Sequence, residues 1–314
     1  PQYLPTKHGF DYYFGIPYSN DMKPSPLIRG EQIIEEPAVQ ETLTARYAEE
    51  AIQFIKAGKT KPFFLYLPFT FPHTPLHASD KFKNKSARGL YGDVVEELDW
   101  GIGQVMQTLR DLDLADKTLV FFSSDNGPWL IKKEDGGSAG LLREGKGSTW
   151  EGGMRVPGLA WWPGRIKPGM VSQAVASTMD IFPTFATLAG AQVPGDRVLD
   201  GQDISPLMFH PDDPPPSRTY IYYRGTQPTA IRKGPWKIHI MTQDGYGPGA
   251  VEPVIHNPPL LFNLDRDPSE KYDVTKEHPN VVADLLKELD QHKATVKPVK
   301  CQLADRIEKQ KKDK

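Results

Sequence analysis

The spacing of apolar positions changes several times along the chain, and each change marks an element. Residues 1–36 have no helical period; His8-Gly-Phe-Asp-Tyr-Tyr-Phe-Gly-Ile-Pro-Tyr-Ser-Asn-Asp21 is rich in aromatic residues and reads as extended, packed loop. From 41 to 57, Leu43, Tyr47, Ala51 and Phe54 recur at spacings of four, four and three, which predicts an amphipathic helix closed by Gly58. Phe63–Phe69 is short and aromatic, as strands are. A second helix is expected at about 91–112. Its apolar stripe would be Val95, Leu98, Ile102, Val105 and Leu109, with Glu96, Glu97 and Asp99 on the solvated face or in the caps. Thr118–Phe122 is an apolar strand ending in Ser124-Asp-Asn-Gly-Pro128. This strand–helix–strand order predicts a right-handed parallel crossover and an α/β architecture, mostly parallel, with helices on the faces of the sheet.

Beyond that strand the period is lost. Residues 129–155 hold Gly136-Gly137, Gly140, Gly145-Lys-Gly147 and Glu151-Gly-Gly153, and a loop of this length beside a strand end suits an active site better than a linker. Arg155–Pro163 reads as another short strand, and Asp180–Gly190 as a helix capped by Asp180 or Thr178. His210-Pro-Asp-Asp-Pro-Pro-Pro-Ser217 is the clearest boundary. Strand-like pieces follow at 220–223, 230–232, 236–240 and 260–264. A helix is then expected at about 280–295, carrying Val281, Leu285 and Leu289 with Val282 on its flank. We therefore expect an α/β domain over 1–209, a small antiparallel sheet with one helix over 218–300, and a charged tail over 301–314.

Composition narrows the functional classes. A formal charge of -2 gives no electrostatic case for nucleic acid or an anionic membrane surface. No apolar run approaches the roughly 20 residues that span a bilayer. Cys301 is the single cysteine, so an internal disulfide is excluded, and a disulfide-dense secreted scaffold with it. Thirty prolines and 27 glycines point to long shaped loops around a scaffold.

Polar groups collect where strands end, the usual place for ligands in an α/β sheet. His73 follows the 63–69 strand. Asp125 and Asn126 follow the 118–122 strand and offer a carboxylate and an amide oxygen to a hard cation. Lys146 sits between glycines in the loop beyond. Separately, each has a plain structural reading: a turn, a hydrogen-bonding histidine, a solvated lysine. Together they describe a site for a tetrahedral anion such as sulfate or phosphate, with a cation, a fixed lysine and a histidine to move a proton.

Three segments carry a resemblance: Ser124-Asp-Asn-Gly-Pro128, Leu142-Arg-Glu-Gly-Lys-Gly-Ser-Thr-Trp-Glu-Gly-Gly-Met-Arg-Val-Pro157 and Pro72-His-Thr-Pro75. They closely resemble the formylglycine-dependent sulfatases, in the branch of arylsulfatase A and N-acetylgalactosamine-6-sulfatase. Lys7–Asp21, Trp236-Lys-Ile-His239 and Pro258–Glu270 extend the likeness over about 5–295. The resemblance implies an alkaline-phosphatase-like fold with a smaller C-terminal antiparallel domain, Asp125 and Asn126 as calcium ligands, and Lys146 and His73 on the sulfate. His239 would line the substrate pocket. It also implies a sulfated small molecule or glycan as substrate. The single cysteine favours an exported bacterial sulfatase over a disulfide-bonded lysosomal one.

The family's Cys- or Ser-x-Pro-x-Arg nucleophile motif, the acidic pair completing the calcium site and a Lys-x-His segment are not found in these 314 residues. Cys301 has no Pro or Arg at the required offsets. The expectation is therefore a C-terminal portion of a sulfatase, inactive by itself, with the remaining calcium ligands outside it. Phosphate or phosphonate monoester hydrolysis, and binding of sulfated glycans without cleavage, are the competing functions.

Overall fold

The first 36 residues form more than loop. In the computed structural model, which describes residues 2–210, 217–247, 250–297 and 299, they contribute a small antiparallel sheet. Its strands are β1 (Phe14–Gly15), β2 (Leu27–Arg29) and β3 (Gln32–Glu35), paired in that order. The chain divides into two units. The first comprises 1–125, 131–137 and 157–215; the second comprises 126–130, 138–156 and 216–314.

In the first unit, α1 (Leu43–Gly58) buries Leu43, Tyr47, Ala48, Ala51 and Ile55, close to the face its period predicts. Helix α2 (Gly89–Asp111) presents a different face from the expected one. Val94, Glu97, Gly101, Thr108 and Leu109 are buried, and Val95 is exposed. Glu97, expected in solvent, is 1% exposed and accepts the backbone N–H of Ser79 at 2.8 Å. The reason lies in packing. A Cβ on Gly101 would meet Ala48 Cβ at 3.5 Å, so the small residues, and not the larger aliphatic ones, face α1. Leu27, Leu43, Tyr47, Phe71, Leu76 and Val94 close the core around this crossing.

β4 (Val120–Ser123) pairs antiparallel with β5 (Gly158–Trp161), in register from Val120–Trp161 to Ser123–Gly158. This corrects the parallel crossover expected between 63–69 and 118–122. Segment 63–69 alternates half-buried and exposed residues as a strand does, but carries no strand assignment. It is held by ring contacts, Phe63 with Phe54, Phe64 with Phe185 and Phe69 with Tyr47, and not by a backbone ladder. All strand pairings among the described residues are antiparallel. Helix α3 (Ile181–Leu188) is preceded by a capping box in which Ser177, not Thr178, receives the N-terminal N–H while Asp180 returns to the Ser177 backbone.

The second unit is built on β6 (Thr219–Arg224), β7 (Gln227–Lys233), β8 (Trp236–Thr242) and β9 (Val254–Asn263), an antiparallel meander. Helix α4 (Pro279–Thr295) lays Val282, Leu285 and Leu289 on Ile231, Ile238 and Leu261. The small antiparallel sheet with one helix is thus as its pattern predicts. Two pieces from the first half of the sequence, 126–130 and 138–156, belong to this unit. Most of the Pro-rich boundary (211–216) and the tail with Cys301 lie outside the described residues.

Candidate active site

His73, in the first unit, lies in the turn after the 63–69 segment and is half-buried. Its Nδ1 is 3.0 Å from Asn20 Oδ1. Asn20 is itself buried and cannot flip, because its Nδ2 donates to Gln40 Oε1 at 2.9 Å and to the Pro75 carbonyl at 3.1 Å. An acceptor fixed in this way puts the proton of the neutral histidine on Nδ1. Asn20 was not singled out from the sequence; within Ser19-Asn-Asp it reads as a turn residue. Asp125, the last residue of the first stretch of this unit, is exposed.

In the second unit, segment 126–130 and the glycine-rich loop are joined backbone to backbone. Gly127 N–H donates to the Gly153 carbonyl at 3.0 Å, and Lys146 N–H to the Pro128 carbonyl at 2.7 Å. The structure thereby brings Asn126 and Lys146, two of the residues expected in the site, onto one local scaffold. The glycines on either side of Lys146 are dictated by this contact. A Cβ on Gly145 would lie 2.1 Å from the Pro128 carbonyl oxygen. Gly147 has φ +85° and would drive a Cβ into Tyr246. The Lys146 ammonium stands 5.2 Å from the Trp129 ring centre and 5.9 Å from that of Tyr246. Asn126 Nδ2 donates to the Gly127 carbonyl at 2.9 Å, which turns Oδ1, the atom a hard cation takes, to the opposite side of the amide.

Beneath Lys146 the loop is fastened at successive residues. Arg224 donates to the Gly147 carbonyl. Ser148 Oγ donates to the Gly145 carbonyl at 2.9 Å, and Thr229 Oγ1 donates to Thr149 Oγ1 at 3.2 Å. Trp150 Nε1 donates to Asp244 at 2.7 Å, and its ring lies 4.2 Å from that of His239. Glu151 reaches the ammonium of Lys237 at 2.9 Å and the Arg232 guanidinium at 3.2 Å.

His239 is wholly buried, and its Nε2 is 2.7 Å from Glu270 Oε1. Burial, with the Lys237 charge adding to it, pushes its pKa down to about 4, although Glu270 works in the other direction. The side chain expected to line a pocket is here an interior, neutral hydrogen-bond donor. Glu151, Lys237 and Glu270 lie in segments that carry the resemblance but were not predicted as site residues, because their pairing spans distant parts of the sequence.

For a metal, the donor chemistry of Asp125 and Asn126 suits a hard cation, but two oxygens are short of the six to eight that calcium takes. Among the described residues no group of three or more His, Cys, Asp or Glu is placed to hold an ion.

Comparison with known proteins matches the family model Sulfatase to residues 2–191 and the C-terminal region of aryl-sulfatase to residues 215–313. N-acetylgalactosamine-6-sulfatase of Rattus norvegicus is 37% identical over 345 aligned residues, covering 96% of this chain and 65% of that protein. The chain thus spans about 65% of the length of this curated relative. Among solved structures, the PsFucS1 sulfatase from Pseudoalteromonas sp. has a TM-score of 0.85 at 26% identity and covers 93% of this chain and 67% of its own. Ps i-CgsB, in complex with k-i-k-neocarrahexaose, has a TM-score of 0.73 at 32% identity and covers 93% and 68%. No described helix is long and apolar enough to cross a membrane.

Proposed function

The chain belongs to the sulfatase family, and from that premise we propose that the protein hydrolyses a sulfate monoester. One observation carries the reading: Lys146 is held by the Pro128 carbonyl on the same local scaffold as Asn126. A lysine and a cation ligand fixed by backbone bonds suit a sulfate monoester, because negative charge builds on its departing oxygen as the ester bond breaks. In this account Lys146 binds and neutralises a sulfate oxygen. His73, its Nδ1–H committed to Asn20, would in its doubly protonated form pass the Nε2 proton to the alcohol as it leaves. Asp125 and Asn126 would supply two oxygens to a divalent cation, calcium by the family resemblance, whose charge would polarise the sulfate. The nucleophile for sulfur would be the formylglycine that the resemblance implies, from a motif not found in these 314 residues.

A sulfated glycan is the substrate class we favour over a sulfated small molecule, supported by the hexaose bound to Ps i-CgsB at 32% identity. If the source is bacterial, an exported location is the one we favour, because a single cysteine suits it better than a disulfide-bonded lysosomal protein. The test is peptide mapping of the protein from its natural source together with sulfate release from a sulfated oligosaccharide. An aldehyde-bearing Cys- or Ser-x-Pro-x-Arg peptide and released sulfate are expected. A protein that releases no sulfate would remove the reading.

A further inference from the structure

The interior of the second unit contains a charge cluster that an apolar core would not need. Glu151 and Glu270 lie on either side of Lys237, at 2.9 and 3.1 Å, and all three side chains are sealed from solvent. Arg232 adds a second cation at Glu151, so two carboxylates face two cations. His239 completes the set by donating from Nε2 to Glu270. Among the described residues its Nδ1 has no hydrogen-bond partner, so a proton there would have nothing to bond to and the ring stays neutral. Replacing such ion pairs by apolar side chains of similar size is often neutral or stabilising, so stability alone does not explain the arrangement. Geometry does.

Glu270 Oε2 accepts the backbone N–H of Glu151 at 2.6 Å, and the Glu270 carbonyl accepts from Arg143 at 3.0 Å. One residue of the C-terminal sheet region thus grips the glycine-rich loop both before and after Lys146. From Gly147 to Glu151 the loop is then tied down by Arg224, Thr229, Asp244 and the cluster itself. We propose that Glu151, Lys237 and Glu270 are positioning residues: a buried ion network that holds the Lys146 ammonium where it meets the sulfate. The inference rests on the reading of Lys146 as an anion-binding residue, and it assigns His239 to the support of that network.

The test compares Glu151→Gln with Val282→Ala in the complete protein. Val282 is an apolar contact of α4 on the same sheet, so its truncation lowers stability without touching the network. Both variants should melt earlier. Only Glu151→Gln should weaken inhibition by inorganic sulfate, by about tenfold, and raise KM for an aryl sulfate. Adding Lys146→Ala to Glu151→Gln should weaken binding no further than Lys146→Ala alone, as expected for groups acting as a unit. Wild-type sulfate affinity in Glu151→Gln, or additive losses in the double variant, would overturn the proposal.

Should Glu151→Gln fail to fold, Glu151→Gln with Lys237→Met removes a charge of each sign, and the same affinity loss is expected. If the unaltered protein binds no sulfate, the functional reading fails, and hydrogen exchange still decides the positioning. Faster exchange confined to the amides of Lys146–Thr149 supports it, whereas a uniform rise through β7 and β8 contradicts it.

Discussion

Lys146 and Pro128 are joined by a 2.7 Å backbone hydrogen bond, and this bond ties the glycine-rich loop to the Asn126–Leu130 segment. Its side chain then projects from a loop whose backbone is already bonded. Removing the ammonium therefore costs function and not fold. Lys146→Ala should reduce kcat/KM for a sulfate ester by about a hundred- to a thousandfold, the usual loss for one electrostatic donor. The melting temperature should stay near that of the unaltered protein. Activity and thermal melts on one preparation check both parts, and near-normal turnover would remove Lys146 from the site.

The same bond predicts an opposite outcome one residue earlier. Gly145→Ala places a methyl group 2.1 Å from the Pro128 carbonyl oxygen, which is backbone and cannot swing away. The segments must part, at a cost of about 1–3 kcal/mol, and the Lys146 bond must lengthen. Urea unfolding should show the loss, and a variant as stable as the parent would contradict the described contact.

The pH dependence of stability follows from His239. Its pKa falls from 6.5 to about 4 on folding, chiefly through burial. Between those values the unfolded chain holds a proton that the folded chain does not, so stability declines as pH is lowered through this window. At full extent the loss is roughly 3 kcal/mol. Burial raises the Glu270 carboxyl, but Lys237 and the His239 hydrogen bond outweigh it and leave the pKa lowered, which adds a further loss at more acidic pH. His239→Gln keeps a donor for Glu270 and removes the titration. Its denaturation curves between pH 7 and 4 should show a shallower decline, and an unchanged slope would exclude His239 as the cause.

His73 offers a spectroscopic check. With Nδ1 donating to Asn20, its ring nitrogen shifts should report the Nδ1–H form whenever it is neutral, and Asn20→Ala should yield a mixture of tautomers. A pure Nε2–H ring in the unaltered protein would invert the assignment.

The readable and unreadable parts of the sequence separate along a physical line. Helices α1 and α4 were legible because their buried faces are apolar at helical spacing, and the Lys146 loop was legible because its glycines are local. The buried face of α2 was not, since Glu97 and Gly101 carry no hydrophobic signal; one is buried by a hydrogen bond and the other by the approach of Ala48. The network beneath Lys146 was hidden for a different reason. Glu151 meets Lys237 across 86 positions and Glu270 across 119, and no local window contains such pairs. The pairing of β4 with β5, not with 63–69, was equally non-local.

Metal dependence can be read without turnover. Calcium should raise the melting temperature of the complete protein, and Asp125→Ala should abolish the rise. A rise of the same size in the variant would exclude Asp125 as a ligand.

The most direct measurement is hydrolysis, by the complete protein, of 4-nitrophenyl sulfate and 4-nitrophenyl phosphate side by side, each repeated with Lys146→Ala. The account predicts that the sulfate ester is the better substrate and that its cleavage collapses in the variant. Preference for the phosphate ester, or sulfate cleavage indifferent to Lys146, would contradict it.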